Sequence, residues 1–208
     1  MISICVATRG RPEKFARMRN SAYDMAKNPD NIEIIAYGNT DDDQIGKYKD
    51  IMVGPATSSC QAWNMCAAKA KGDILMMQGD AEIFMTQDWD AIVESEFTEP
   101  AMMVAPLDGR DNTGTPHYFV DRAWYETLGW LAHPMFYHWH VDTYSRMLAE
   151  KANKFSWSKS VVKAEKIRKD ATAKLSRDNR IVARDQYALD WAIKHLLADE
   201  AAKIRSIL

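Results

Sequence analysis

An α/β domain with a mainly parallel central sheet flanked by helices is the fold class that this sequence predicts, on three observations. Short apolar, β-rich runs alternate with amphipathic helical stretches through the first half of the chain. Polar clusters follow directly on three of those runs, at 8–11, 37–43 and 80–82. The 208 residues fit one domain, and an apolar share of 47% can fill its core.

Each element has its own signal. Ile2 to Ala7 is a buried strand that runs into the turn Thr8-Arg9-Gly10-Arg11-Pro12. Pro12 suits the first turn of a helix, along which Phe15, Met18, Ala22 and Met25 recur at spacings of three and four. Asn28-Pro29 stops that helix, and Ile32 to Tyr37 reads as the second strand. After the polar turn 39–43 comes a short strand, Ile51 to Val53. Ser58 or Ser59 then caps a helix carrying Ala62, Cys66, Ala67 and Ala70, which Gly72 ends. Asp73 to Gln78 is a strand leading into Gly79-Asp80-Ala81-Glu82. Beyond it the pattern loosens. Met102 to Pro106 reads as a strand, 108–115 as a polar loop, Thr143 to Lys151 as a helix, and a last helix starts near Asp185.

Composition excludes several classes of protein. A net charge of −2 gives the whole molecule no strong field, and 27% charged residues beside the apolar share argue against disorder. Three cysteines without CxxC spacing predict neither a disulfide framework nor a cysteine-based zinc site. No apolar run approaches the roughly 18 residues needed to span a membrane, and the N-terminus lacks the basic start of a signal peptide. A cytoplasmic protein without a membrane partner is expected. Charge is nonetheless uneven. Between Lys151 and Arg184, eleven Lys/Arg stand against Glu165, Asp170 and Asp178, a balance of +8 that leaves −10 on the rest.

In open α/β sheets, ligands sit outside the carboxyl ends of the strands, and here three polar clusters fall at such ends. Asp80 and Glu82, two apart after a strand, can face one point. Hard oxygen ligands of this kind suit Mn²⁺ or Mg²⁺ bridging a diphosphate. The bland alternative is a solvated acidic turn, but buried chain flanks the pair on both sides (Ile74 to Met77, Ile83-Phe84).

At this point the chain resembles the GT-A fold glycosyltransferases, family-two-like and of the short phage type. Ile2 to Pro12 resembles their opening strand and turn, and Glu33 to Asp41 their second strand and its acidic turn. Ala62-Trp63-Asn64, Ala70-Lys71-Gly72-Asp73-Ile74-Leu75, Asp80-Ala81-Glu82 and Thr86-Gln87-Asp88-Trp89 follow the family's further motifs in order, over residues 2 to 95. The resemblance implies a nucleotide-sugar donor, with Thr8, Arg9 and Arg11 lining the nucleotide pocket. It also implies Asn64 near the sugar diphosphate, and Asp80 with Glu82 on the metal and the ribose-diphosphate. The acidic base contact of the family is replaced by Ala36-Tyr37, so Tyr37 is expected to stack on the base; Glu82 stands where an aspartate is usual. Residues 1–100 would form the nucleotide-sugar-binding half and 101–208 the acceptor-binding half.

Within His138-Trp139-His140-Val141-Asp142, Asp142 resembles the family's general base for an inverting transfer; the alternative is that it caps the helix from Thr143. His138 and His140 either join the metal, line the acceptor site, or form an ordinary hydrogen-bonded pair among the aromatics. The stretch from Val161 to Glu165 offers no histidine for the metal ligand that the family often has near the end of the domain. Phe155 and Trp157 interrupt the basic segment, a mixture that can grip a nucleic-acid backbone and stack on bases. Phage enzymes of the resembled kind include some that glycosylate hydroxymethylated bases, so DNA is one expected acceptor; a solvated basic face is the other reading. Two rival functions stand beside glycosyl transfer. A nucleotidyltransferase would show a more Gly-rich loop after the first strand, and a non-catalytic nucleic-acid-binding module would leave the polar strand ends idle.

Overall fold

The structure is a computed structural model, and it describes residues 1–108, 115–164 and 171–207. In chain order its elements are β1 (Ile2–Thr8), α1 (Pro12–Asp24), β2 (Ile32–Asn39), β3 (Met52–Gly54), α2 (Ser59–Ala67), β4 (Ile74–Gly79), β5 (Glu82–Phe84) and α3 (Trp89–Glu96). They continue with β6 (Met103–Leu107), β7 (Tyr118–Asp121), α4 (Arg122–Leu128), α5 (Val141–Ala152), β8 (Phe155–Ala164), α6 (Ala171–Ser176), α7 (Asn179–His195) and α8 (Leu197–Arg205).

One mixed sheet of order β3-β2-β1-β4-β7-β6-β8-β5 runs through the molecule. Its β3-β2-β1-β4 part is wholly parallel, β7 joins antiparallel to β4 and β6, β8 lies parallel to β6, and β5 antiparallel to β8. The alternating side chains of β1 separate the two cores: Ile2, Ile4 and Val6 face one, Cys5 the other. Phe15 and Met18 of α1 with Trp89 and Val93 of α3 fill the first core. Helices α2, α4, α5, α7 and α8 fill the second around Trp63, Trp124 and Tyr144. Trp89 is wholly buried and donates its indole N–H to the Ala22 carbonyl, so its truncation would cost about 3–5 kcal/mol.

Several expected boundaries shift. Ser58, not Ser59, caps α2, accepting from the Gln61 N–H at 3.1 Å, a contribution of about 1 kcal/mol. That helix ends at Ala67, well before Gly72. Helix α7 begins at Asn179, where Asp178 accepts from the Arg180 N–H, six residues before the expected start at Asp185. The C-terminal helix is broken at Leu196 into α7 and α8. The 155–164 part of the basic segment is a strand, with Ser158, Ser160 and Val162 buried and Lys159 and Lys163 exposed. Most of the 108–115 loop, together with Glu165, Lys166, Arg168, Lys169 and Asp170, lies outside the described residues. Cys5, Cys60 and Cys66 are buried and unbridged. Among the described residues no helix is long and apolar enough to cross a membrane.

Candidate active site

Register brings the polar strand ends together. Thr8 at the end of β1 pairs with Gly38 of β2, and Ala7 with Gly79 of β4, so all three strands release their chains at one edge. Because β7 runs antiparallel to β4 with Tyr118 opposite Met77, the residue before it, His117, arrives at the same edge. A cleft of about 520 Å³ opens there.

Its floor is a buried charge network. Thr8 Oγ1 donates to Asp80 Oδ2 at 3.0 Å, and Arg11 Nη1 lies 3.1 Å from Asp80 Oδ1. Burial pushes the Asp80 carboxyl up, while the Arg11 guanidinium and the bonds from Arg11 and Thr8 pull it down. The Tyr48 hydroxyl contacts Thr8 Oγ1 at 3.2 Å and accepts the Arg11 N–H at 2.8 Å; burial holds its pKa up at about 12. Arg9 forms a two-pronged bond to Asp41 (2.6 and 3.1 Å), which raises the guanidinium and lowers the carboxyl. Gly10, at φ +66°, turns the chain between the two arginines and donates its N–H to Asp42 at 2.7 Å.

Glu82 and His117 lie beside Asp80. A Cβ on Gly79 would stand 3.3 Å from Glu82 Cγ and 3.4 Å from His117 Cε1, so the absence of a side chain there lets the two approach. His117 Nε2 is 3.4 Å from Glu82 Oε2, and among the described residues neither buried ring nitrogen of His117 has a hydrogen-bond partner.

The remaining wall comes from the second half of the chain. Tyr137, His138 and Trp139 line the cleft next to Ser58 and Ser59 at the start of α2. Ser59 Oγ lies 3.0 Å from His138 Nδ1, and the Ser59 N–H donates to the Tyr137 carbonyl. Burial lowers the His138 imidazole; Asp185 and Asp142 oppose that, and Arg11 adds to it. On α6, Thr172 donates to the Arg9 carbonyl at 2.8 Å and so lays this helix along the cleft rim.

No protein-family model matches the chain, and no curated protein matches it by sequence. Solved structures do. The mannosyltransferase PcManGT from Pyrobaculum calidifontis, in complex with GDP-Man and Mn²⁺, superposes with a TM-score of 0.65 at 13% identity over 98% of this chain and 73% of its own. S. aureus TarS 1-349 in complex with UDP-GlcNAc gives 0.62 at 11% identity, over 99% and 70%. GalNAc-T7 with UDP, GalNAc and Mn²⁺ gives 0.64 at 12%, over 79% of this chain and less than half, 43%, of that one. The chain has the GT-A fold.

On this GT-A frame, Thr8, Arg9, Arg11, Tyr37, Asp80, Glu82 and His138 all line the one cleft. Tyr37 touches the cleft from the core: it is only 3% exposed, with its hydroxyl donating to the Pro55 carbonyl, so its ring offers no open face for the expected stacking on a base. Asn64 is not on the cleft wall. Its Oδ1 accepts the N–H groups of Leu131 and Ala132 at 2.8 and 2.9 Å and its Nδ2 donates to the Ala132 carbonyl, so both ends of the amide are used in joining α2 to that loop. Asp142 sits half-buried in the first turn of α5, set back from the wall. It does not cap that helix: the capping position belongs to His140, at φ +65° and without a side-chain cap bond, and His140 is not on the cleft wall either.

Four contributors escaped the sequence reading: His117, Tyr48, Ser59 and Asp185. His117 precedes an apolar run, Tyr118 to Val120, that carries the strand signal; reading that run as a strand would have placed the histidine at the edge.

For a divalent cation the donors fit in a specific way. Among the described residues no group of three or more His, Cys, Asp or Glu side chains forms a closed cage. Mg²⁺-like ions bound with a substrate diphosphate need only one or two protein ligands, at roughly 2 Å each. The Glu82–His117 pair, 3.4 Å apart, has that spacing, and the His117 nitrogens are buried donors or acceptors that nothing among the described residues satisfies.

Several described cations of the basic segment have separate surroundings. Lys154 is buried against Glu99, Arg180 chelates Asp178, Arg184 lies over the Tyr137 ring, and Arg177 lines the cleft.

Proposed function

We propose that this chain transfers a sugar from a nucleoside-diphosphate sugar to a hydroxyl acceptor. One observation carries the reading. Two arginines, a buried carboxylate held between Thr8 and Arg11, and the Glu82–His117 pair meet in one cleft at the carboxyl edge of a GT-A sheet. The solved GT-A structures that it resembles support it: they hold GDP-Man, UDP-GlcNAc or UDP, two of them with Mn²⁺.

In this reading Arg9 and Arg11 hold the diphosphate, and Arg11 and Asp80 fix each other's orientation at its side. Tyr37, only 3% exposed, backs the wall behind the base rather than stacking on it. Glu82 and His117, with Asp80 adjacent, would hold Mn²⁺ or Mg²⁺; such an ion supplies neutralisation of the charge that develops on the leaving diphosphate. The site's own contribution is positioning: donor and acceptor meet in line, and the wall 137–139 keeps water from the anomeric carbon. An acceptor hydroxyl attacking in line inverts that carbon and must lose its proton. Asp142 takes that role here, because loop and side-chain adjustment on substrate binding commonly brings a base forward from its position without ligand. A hydroxymethylated DNA base as the acceptor rests on the basic segment alone, and the dispersal of its described cations favours a smaller acceptor held by the 137–139 wall.

A thermal-shift panel of UDP, GDP and their sugar derivatives, with and without Mn²⁺, tests the proposal. Ligand that binds the native state raises Tm, so at least one nucleotide should do so, and more strongly with the metal. A flat panel would refute the reading.

A further inference from the structure

Asp185 is wholly buried, and it lies on α7, far along the chain from the strand-end motifs. Its Oδ1 accepts the N–H of Tyr137 at 2.9 Å, and its Oδ2 accepts those of His138 and Trp139 at 2.8 Å each. Arg184, half in solvent, reaches it only at 3.7 Å. Three consecutive main-chain donors thus converge on one side chain. Residues 137–139 lie outside any helix or strand, so no ladder pairs these N–H groups and their conformation depends on the acceptor that satisfies them. All three residues so held line the same cleft as Arg9 and Arg11. Ser59 clasps the same segment from the other side.

We propose that Asp185 is a positioning residue for the cleft: through three main-chain bonds it sets the Tyr137–Trp139 wall and thereby the affinity for a nucleoside diphosphate. The inference rests on the glycosyl-transfer reading of that cleft. An asparagine here offers one acceptor oxygen and turns its NH₂ towards N–H groups, so it cannot replace both carboxylate oxygens. Helix α7 is anchored separately, through Ala188, Leu189 and Ala192 in the core, so the fold should survive the change.

The test combines amide hydrogen exchange with isothermal titration of UDP and GDP in Mn²⁺, on wild type, Asp185→Asn and Leu189→Ala. In wild type the amides of 137–139 should exchange slowly. In Asp185→Asn they should exchange fast while those of β1 and β4 stay slow, and nucleotide affinity should fall by about tenfold or more, as expected when a site is displaced by a fraction of an ångström. Leu189→Ala, which loosens α7 without touching the wall, should lower Tm and keep the affinity. Fast exchange at 137–139 in wild type overturns the proposal whether or not any variant folds. So does unchanged affinity in Asp185→Asn, or an equal loss in Leu189→Ala. Wild type that binds neither nucleotide removes the glycosyl-transfer reading and this inference together.

Discussion

Asp80 is held by the Thr8 and Arg11 side chains and the Arg9 backbone before any ligand arrives, whereas among the described residues the His117 ring nitrogens have no hydrogen-bond partner. That asymmetry divides the acidic motif into a part that orients Arg11 and a part that awaits a ligand. If Glu82 and His117 hold the cation, His117→Asn should weaken nucleotide binding in Mn²⁺ by about 10–100-fold, the usual effect of losing a group around a metal. Affinity in EDTA should stay the same; isothermal titration under both conditions reads the difference, and an equal loss with and without metal would assign His117 to direct nucleotide contact. Asp142 is open to a cleaner test than its sequence allowed, now that capping is excluded. As a first-turn acid it contributes about 0.3–1 kcal/mol through the helix dipole, so Asp142→Asn should scarcely move Tm. Loss of a general base should cut turnover by roughly 10²–10⁴-fold. Turnover within a few-fold of wild type would exclude it as the base. Residues that directly follow a strand, such as Thr8, Arg11 and Asp80, were legible in the sequence because strand ends point at ligands. Asn64 bonds the 131–132 loop through both ends of its amide, and an amide at a helix turn reads the same whether it faces a cleft or a neighbouring loop. Asp185 was invisible as a site residue because its partners are main-chain groups almost fifty positions away.

Among the elements, the aromatic stretch resolves into a helix, a loop and a second core. Helix α4 carries full signals at both ends: Asp121 accepts the Trp124 N–H at 2.9 Å and Gly129, at φ +76°, closes it. Trp124, Trp130 and Phe136 from this stretch are core. Strand β8 was hidden by its lysines, since counting charge over 151–184 obscures an alternation in which serines point inward. The loop after α4 is pinned by His133, whose ring lies 5.0 to 5.7 Å from those of Trp130, Tyr144 and Phe136. Its Nε2 is 3.7 Å from Glu200 of α8, and Tyr144 donates to the same carboxylate at 2.7 Å. Burial lowers the His133 pKa from 6.5 to about 4. The unfolded chain therefore binds a proton that the native state refuses between those values, and stability present above pH 6.5 is lost as the pH falls towards 4. Glu200, whose carboxyl burial raises, acts in the opposite sense over part of that range. The diagnostic is thus a difference: Tm of His133→Gln should fall less than that of wild type between pH 7 and pH 4.5. Parallel Tm–pH curves would mean that His133 is protonated in the native state.

At the scale of the whole molecule, the two halves share one sheet, with β7 of the second half seated beside β4 of the first. The first half was legible because its parallel strands are covered on both faces and read as near-continuous apolar runs, Ile2 to Val6 (broken only by the buried Ser3) and Ile74 to Met77. The second was legible only in part: β6, α5 and α7 were read, whereas β7 is short and β8 carries buried serines. The sharing has a functional consequence: His117 and the 137–139 wall complete a cleft whose arginines and acids belong to the first half. The central claim is that this composite cleft binds a nucleoside diphosphate together with a divalent cation. Isothermal titration of the wild-type chain with UDP and with GDP, each in Mn²⁺ and again in EDTA, measures that directly. The account predicts one-to-one binding of at least one nucleotide in Mn²⁺, weakened about tenfold or more by the chelator; no binding of either, or binding indifferent to the metal, would contradict it.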